Sequence, residues 1–262
     1  MIGAIAGDVI GSVHEFSGRK SVTFPLFTPR SRFTADAVLT VATAWAILTD
    51  TPYGMAYHRF GRRYLNVAYG TSFVRWLQSP RPRPYRSCGN GSAMRVSPVG
   101  FAFATRDEVL REAERSAAVT HDHPEGIKGA QATALAVFLA RSGASKEEIR
   151  TEIDVRFSYD LRRTVDEIRI GYQPDVSCPG SVPEAIIAFL DSTDYEDAVR
   201  LAVSLGGDAD TQAAIAGGIA HAFYRHVPAM IDVAVRNRLP IELIDVIDRF
   251  QDRFSETWWP DH

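Results

Sequence analysis

Three stretches of the chain carry residues whose types and spacing suit chemistry better than packing. The first runs from Gly7-Asp8 through Gly11-Ser12-Val13-His14-Glu15 and is joined at a distance by Phe33-Thr34-Ala35-Asp36-Ala37. The second is Gly89-Asn90-Gly91-Ser92-Ala93-Met94-Arg95, and the third is Gly206-Gly207-Asp208-Ala209-Asp210-Thr211. In the third, Asp208 and Asp210 stand two apart with the Thr211 hydroxyl beside them, so one turn can aim several oxygens at a point. Hard cations such as Mg²⁺, Mn²⁺ or Ca²⁺ take that ligand set. The same letters also read as an Asp N-cap after a Gly-Gly turn. If Asp36 joins Asp208 and Asp210 with carboxylates about 5 Å apart, each pair repels by roughly 3 kcal/mol at an effective dielectric of about 20, and a shared cation turns that repulsion into binding.

The Gly89–Ser92 loop offers backbone that a ligand can approach closely, with N–H groups able to cradle a diphosphate; read alone, Asn-Gly is also an ordinary turn. In Thr120-His121-Asp122-His123-Pro124-Glu125 the two histidines have no cysteine or second histidine pair at zinc spacing, which favours helix capping and hydrogen bonds to a ligand over metal ligation.

The elements that must position these residues read as helices. Val38, Val41, Ala42, Trp45 and Leu48 recur at three to four after Thr34, and Ile127, Ala130, Ala134, Leu135 and Phe138 do the same ahead of a stop at Gly143. Ala198, Leu201 and Ala202 precede Gly206-Gly207, and Ile215, Ile219 and Phe223 follow. Capping boxes are predicted at Thr105–Glu108, Ser145–Glu148 and Ser181–Glu184, each spelling S/T-x-x-E. No stretch alternates with period two as a strand would. The expected fold is therefore all-α, and with no linker or repeat to divide it, one domain over residues 1–262.

Composition excludes several classes. Apolar residues at 45% against 23% charged fit an ordinary globular core, and a formal net charge of −3 argues against bulk electrostatic binding of nucleic acid. The Arg-rich stretches at Arg59–Arg63 and Arg81–Arg86 read as solvated faces. Cys88 and Cys178 are too few for a disulfide framework, which suits a reducing, cytoplasmic setting. No apolar run approaches the roughly 20 residues that a membrane span needs, and the N-terminal apolar run lacks a basic leader and is cut by Asp8.

Taken together and in order, the segments Gly3 to Asp8, Gly11-Ser12 with Glu15, Phe33 to Thr40, Gly89 to Arg95, His121 to Gln131, Val182 to Ala185 and Gly206 to Thr211 resemble the ADP-ribosylglycohydrolase family. The resemblance implies an orthogonal multi-helix bundle with a two-metal site for Mg²⁺ or Mn²⁺, and hydrolysis of the bond joining C1 of the distal ribose of ADP-ribose to an acceptor. It assigns Thr34, Asp36, Asp208, Asp210 and Thr211 to the metal and Glu15 and Asp36 to catalysis. It assigns Gly89, Asn90, Gly91, Ser92, Met94 and His121 to the ligand, which is ADP-ribose or an ADP-ribosylated substrate, with a nucleic-acid acceptor left open. One departure stands out: where the family has Thr-Asp-Asp-Thr, this chain has Thr34-Ala35-Asp36-Ala37, so one carboxylate is missing and one metal position should be weakened. That departure sets a rival beside the hydrolase, a catalytically inactive ADP-ribose-binding protein; the resemblance adds a third reading, a purely structural role, because relatives of the family serve as eye-lens crystallins.

Overall fold

The computed structural model describes residues 1–15 and 17–258, so the last four residues of the expected 1–262 domain lie outside the described residues. Fourteen α-helices and no strand occur among the described residues: α1 (Ile2–Gly11), α2 (Ala35–Thr49), α3 (Tyr53–Arg63), α4 (Thr71–Gln78), α5 (Ser97–Ala102), α6 (Arg106–Ala118), α7 (Pro124–Arg141), α8 (Lys146–Phe157), α9 (Val165–Gly171), α10 (Cys178–Asp191), α11 (Tyr195–Ser204), α12 (Ala209–Tyr224), α13 (Ala229–Arg236) and α14 (Ile241–Trp258). Extended backbone pairs at one isolated antiparallel bridge, Gly89 with Ser177. The all-α expectation holds.

The local signals explain most helix starts. Thr105 and Ser145 make the reciprocal cap bonds expected of them, and Thr34 opens α2 with its hydroxyl accepting from Asp36 N–H. The box expected at Ser181–Glu184 does not form, because α10 has already begun at Cys178 with Ser177 as its cap. Inside that helix Ser181 Oγ turns back to Ser177 O, and Glu184 reaches Arg163 at 2.9 Å. The third box is instead Thr164–Glu167, at the head of α9. Gly143 lies past the end of α7 at φ 87°, as a stop should. Arg59, Arg62, Arg63, Arg81, Arg83 and Arg86 are all exposed.

The centre of the fold is the pair α1 and α12. Every residue of α1 is buried, Asp8 included. The pair can approach so closely because Gly3, Gly7 and Gly11 recur every fourth residue along one face of α1. A Cβ built on Gly7 would lie 2.0 Å from Ala213 O, and one on Gly11 2.5 Å from Ala209 O. Backbone thus meets backbone. Between α11 and α12 the chain reverses through Gly206 at φ 73°, a left-handed conformation that glycine adopts without strain. The reversal delivers Asp208 and Asp210 to the end of α12 that faces Gly11 and Glu15.

Candidate active site

Asp8 sits in the middle of an otherwise apolar helix, and its carboxylate organises the start of α2. Its Oδ2 accepts from Thr34 N–H at 2.9 Å and Ala37 N–H at 3.1 Å, and its Oδ1 accepts from the Thr34 hydroxyl at 2.6 Å. Those bonds satisfy donors at the head of α2, where negative charge is also favoured by the helix dipole. They set Asp36 facing α12, where Thr211 Oγ1 donates to Asp36 Oδ1 at 3.0 Å.

Two groups of acidic side chains result. Carboxylate oxygens of Asp8, Asp36 and Asp210 lie within 4.8 Å of one another, and so do those of Glu15, Asp208 and Asp210, with Asp210 common to both. Acidic residues from three separated stretches of sequence therefore converge, and the condition set for Asp36, that it meet the Asp208–Asp210 turn, is satisfied through Asp210; Asp8 joins them from outside the expected ligand set. Burial, then the neighbouring carboxylates, hold Asp36 and Asp210 well above the ordinary carboxylate range. Burial pushes Asp8 up to about 7 against the lowering effect of its hydrogen bonds. Glu15 is raised by partial burial and by Asp208, with Arg32 opposing. All-oxygen donors, buried and mutually repelling, are what a hard divalent cation relieves.

Four of these acids form the floor of a cleft of about 390 Å³, with Asp8 fully buried beneath them. Glu15, Asp36, Asp208, Asp210, Thr211, Gly89, Asn90, Gly91, Met94 and His121 all line it. Thr34 stands behind the floor, capping α2. Ser92 turns inward and donates to Gly126 O at 2.7 Å. The Gly89–Ser92 segment is a short 3₁₀ turn and not an open loop. Two of its amides are already used, Gly89 N–H on Ser87 Oγ and Asn90 N–H on Val176 O. Asn90 has a second task that its sequence context does not announce: its Nδ2 donates to Asp208 Oδ2 at 2.7 Å and to Ser181 Oγ at 3.2 Å, tying the wall to the floor. His123 caps α7 through Nδ1, as expected. Tyr69, Phe73 and Leu39 add an apolar wall that no motif marked.

The ADP-ribosylglycohydrolase family model matches residues 1–258. The chain belongs to the ADP-ribosylglycohydrolase family. Human ADP-ribosylhydrolase ARH3 is 28% identical over 305 aligned residues, covering 86% of this chain and 84% of the relative. ADP-ribosylarginine hydrolase Tri1 of Pseudomonas putida is 31% identical over 149 residues, 53% of this chain and 39% of that one. A solved structure titled ADP-ribosylglycohydrolase-related protein complex superposes with a TM-score of 0.71 at 25% identity, covering 95% of this chain and 94% of that one. Membership makes this ADP-ribosylglycohydrolase a hydrolase of bonds to ADP-ribose. No helix among its described residues is long and apolar enough to cross a membrane.

Proposed function

We propose that the chain cleaves the bond between C1 of the distal ribose of ADP-ribose and an acceptor, with Asp36, Asp208, Asp210, Thr211 and Thr34 holding Mg²⁺ or Mn²⁺. The observation that carries this reading is the convergence of Asp8, Asp36 and Asp210, and of Glu15, Asp208 and Asp210, with all but the fully buried Asp8 lining one cleft. When bound, the metal supplies a template and charge stabilisation for the ribose hydroxyls. The protein's own residues do the rest. Asp8 holds the Thr34–Ala37 turn, Asn90 orients Asp208, and Gly91 and His121 offer the near wall to the diphosphate.

Glu15 is half-buried at the cleft with its proton affinity raised, so it keeps a proton at higher pH than a surface glutamate does. In this reading it assists departure of the acceptor or positions the attacking water as positive charge develops at C1. Ala35 presents a methyl group to the same cleft. With that carboxylate gone, the protein would offer one ligand fewer to one of the two metal positions that the resemblance implies, and metal there would be held more weakly. The free thiols of Cys88 and Cys178 suit a reducing, cytoplasmic setting.

The test is release of ADP-ribose from substrates carrying it on arginine, serine or a nucleobase, with Mg²⁺, Mn²⁺ or chelator, beside calorimetry with ADP-ribose. Metal-dependent release from one acceptor supports the reading and names the acceptor. Binding without release from any of them would make the chain an ADP-ribose-binding protein, and absence of both would leave a structural role.

A further inference from the structure

A buried cation that the proposed reaction does not use stands in the lining of the cleft. Arg95 is fully buried, and all its partners are neutral. Its Nη2 donates to Ser116 O at 3.0 Å and to Thr120 Oγ1 at 2.8 Å, and its guanidinium lies 4.1 Å from the centre of the Tyr57 ring. Its Nε and Nη1 meet no hydrogen-bond partner among the described residues. Thr120 Oγ1 in turn lies 2.7 Å from His121 Nδ1.

The chemistry of these groups orders the protons. A guanidinium only donates, so Thr120 Oγ1 accepts from Arg95 and has one proton left to give. If Thr120 gives its proton to His121 Nδ1, each donor in the chain from Arg95 points the same way, and the bonds reinforce one another. The reverse order would turn an N–H of His121 toward a hydroxyl already polarised by the cation. With Nδ1 an acceptor, the ring's single proton sits on Nε2. That atom faces the Gly89–Gly91 turn: a Cβ built on Gly91 would stand 3.1 Å from it, and one on Gly89 3.7 Å. Two amides of the turn, those of Gly89 and Asn90, are spent on Ser87 and Val176, so an Nε2–H of His121 adds a donor beside it.

We infer that Arg95 and Thr120 are positioning residues that hold His121 as a neutral Nε2–H donor directed into the cleft. That His121 then serves an acceptor atom of ADP-ribose rests on the function proposed above; the tautomer does not. The arrangement also places an uncompensated positive charge beneath the wall nearest the Gly89–Gly91 turn, where an anionic ligand gains from it.

The experiment is side-chain ¹⁵N–¹H NMR of histidine-labelled protein without ligand, with His121 assigned by its loss in His121→Asn. An acceptor-type Nδ1 and a protonated Nε2 are expected in the native chain; a protonated Nδ1 overturns the inference. In Thr120→Val the preference for Nε2–H should weaken, and the Kd for ADP-ribose and the KM should rise about tenfold with kcat little changed, as for loss of one hydrogen bond to a charged group. Thr120→Ser keeps the hydroxyl and should restore both, and Arg95→Lys should keep part of the bias. An unchanged tautomer in folded Thr120→Val would overturn the inference as well. Failure of the native chain to bind ADP-ribose, with the tautomer as expected, would sink the proposed function and leave the positioning of His121 standing.

Discussion

Removing divalent metal and raising the pH should destabilise this fold, and the size of the effect can be worked from Asp8. Folding lifts its proton affinity from an ordinary value of 3.8 to about 7. At 1.36 kcal/mol for each tenfold change, that is worth about 4 kcal/mol. The folded state holds the proton more tightly than the unfolded chain does, so this stability is fully present below pH 3.8 and is lost as pH rises through about 7. Asp36 and Asp210 are raised as well and act in the same direction. For a chain of this length, 4 kcal/mol corresponds to a Tm lower by roughly 10 °C. His121 and His221, both held below the usual imidazole range by burial, act in the opposite sense, losing their contribution as pH falls. They do so with or without metal, so the informative quantity is the difference between two thermal unfolding curves, one in EDTA and one in Mn²⁺, measured from pH 4 to 8. Since a cation binds only the deprotonated carboxylates, the gap should open as pH rises, and Asp8→Asn should flatten the metal-free fall. Parallel curves across that range would refute the idea that these carboxylates share a cation.

Three substitutions test other parts of the site. Ala35→Asp should lower the metal-free Tm, since a carboxylate about 5 Å from a charged neighbour adds roughly 3 kcal/mol of repulsion; in Mn²⁺ calorimetry it should tighten the weak position and raise ADP-ribose release, and an unchanged isotherm would count against a weakened second metal. Glu15→Gln should cut kcat at least about a hundredfold while leaving the Kd for ADP-ribose within about threefold, and undiminished turnover would remove Glu15 from the chemistry. Gly7→Ala drives a methyl group to 2.0 Å from Ala213 O, so it should cost roughly 1–3 kcal/mol or more in denaturant unfolding and weaken Mn²⁺ binding too; a variant with native stability would mean that α1 and α12 are not in backbone contact.

What could be read from the sequence was local. The caps at Thr105 and Ser145 are each closed by a residue three positions on, so four letters carry the whole signal. Ser181 spelled the same pattern and failed, because Ser177 had already capped the helix and the Ser181 hydroxyl was spent on Ser177 O. Asp208 and Asp210 were visible as a turn rich in oxygen. Nothing local singles out Asp8, because its neighbours along α1 are apolar or glycine and its partners, Thr34 and Ala37, lie well over twenty residues away. The letters around Asn90 point to its backbone, whereas its side chain ties the wall to the floor through a bond to Asp208, 118 residues on. In each miss the partner that gives the residue its role is supplied by tertiary packing, which no window of sequence contains.

The glycines of α1 show why fold and site cannot be separated here. The repeat Gly3, Gly7, Gly11 is there in the letters, yet its meaning lies across the interface, in the carbonyls of Gly217, Ala213 and Ala209. Because no side chains hold the two helices apart, Asp8 on one and Asp210 on the other come within 4.8 Å, a separation that costs several kcal/mol while both are charged and uncompensated. An apolar pairing of α1 with α12 alone would have no use for Asp8, since a leucine or alanine there would pack without any desolvation of charge. The close approach and the buried acids fit together on the proposed function: the glycines bring the charges near enough to share an ion, and an ion held there would offset the repulsion that such nearness creates.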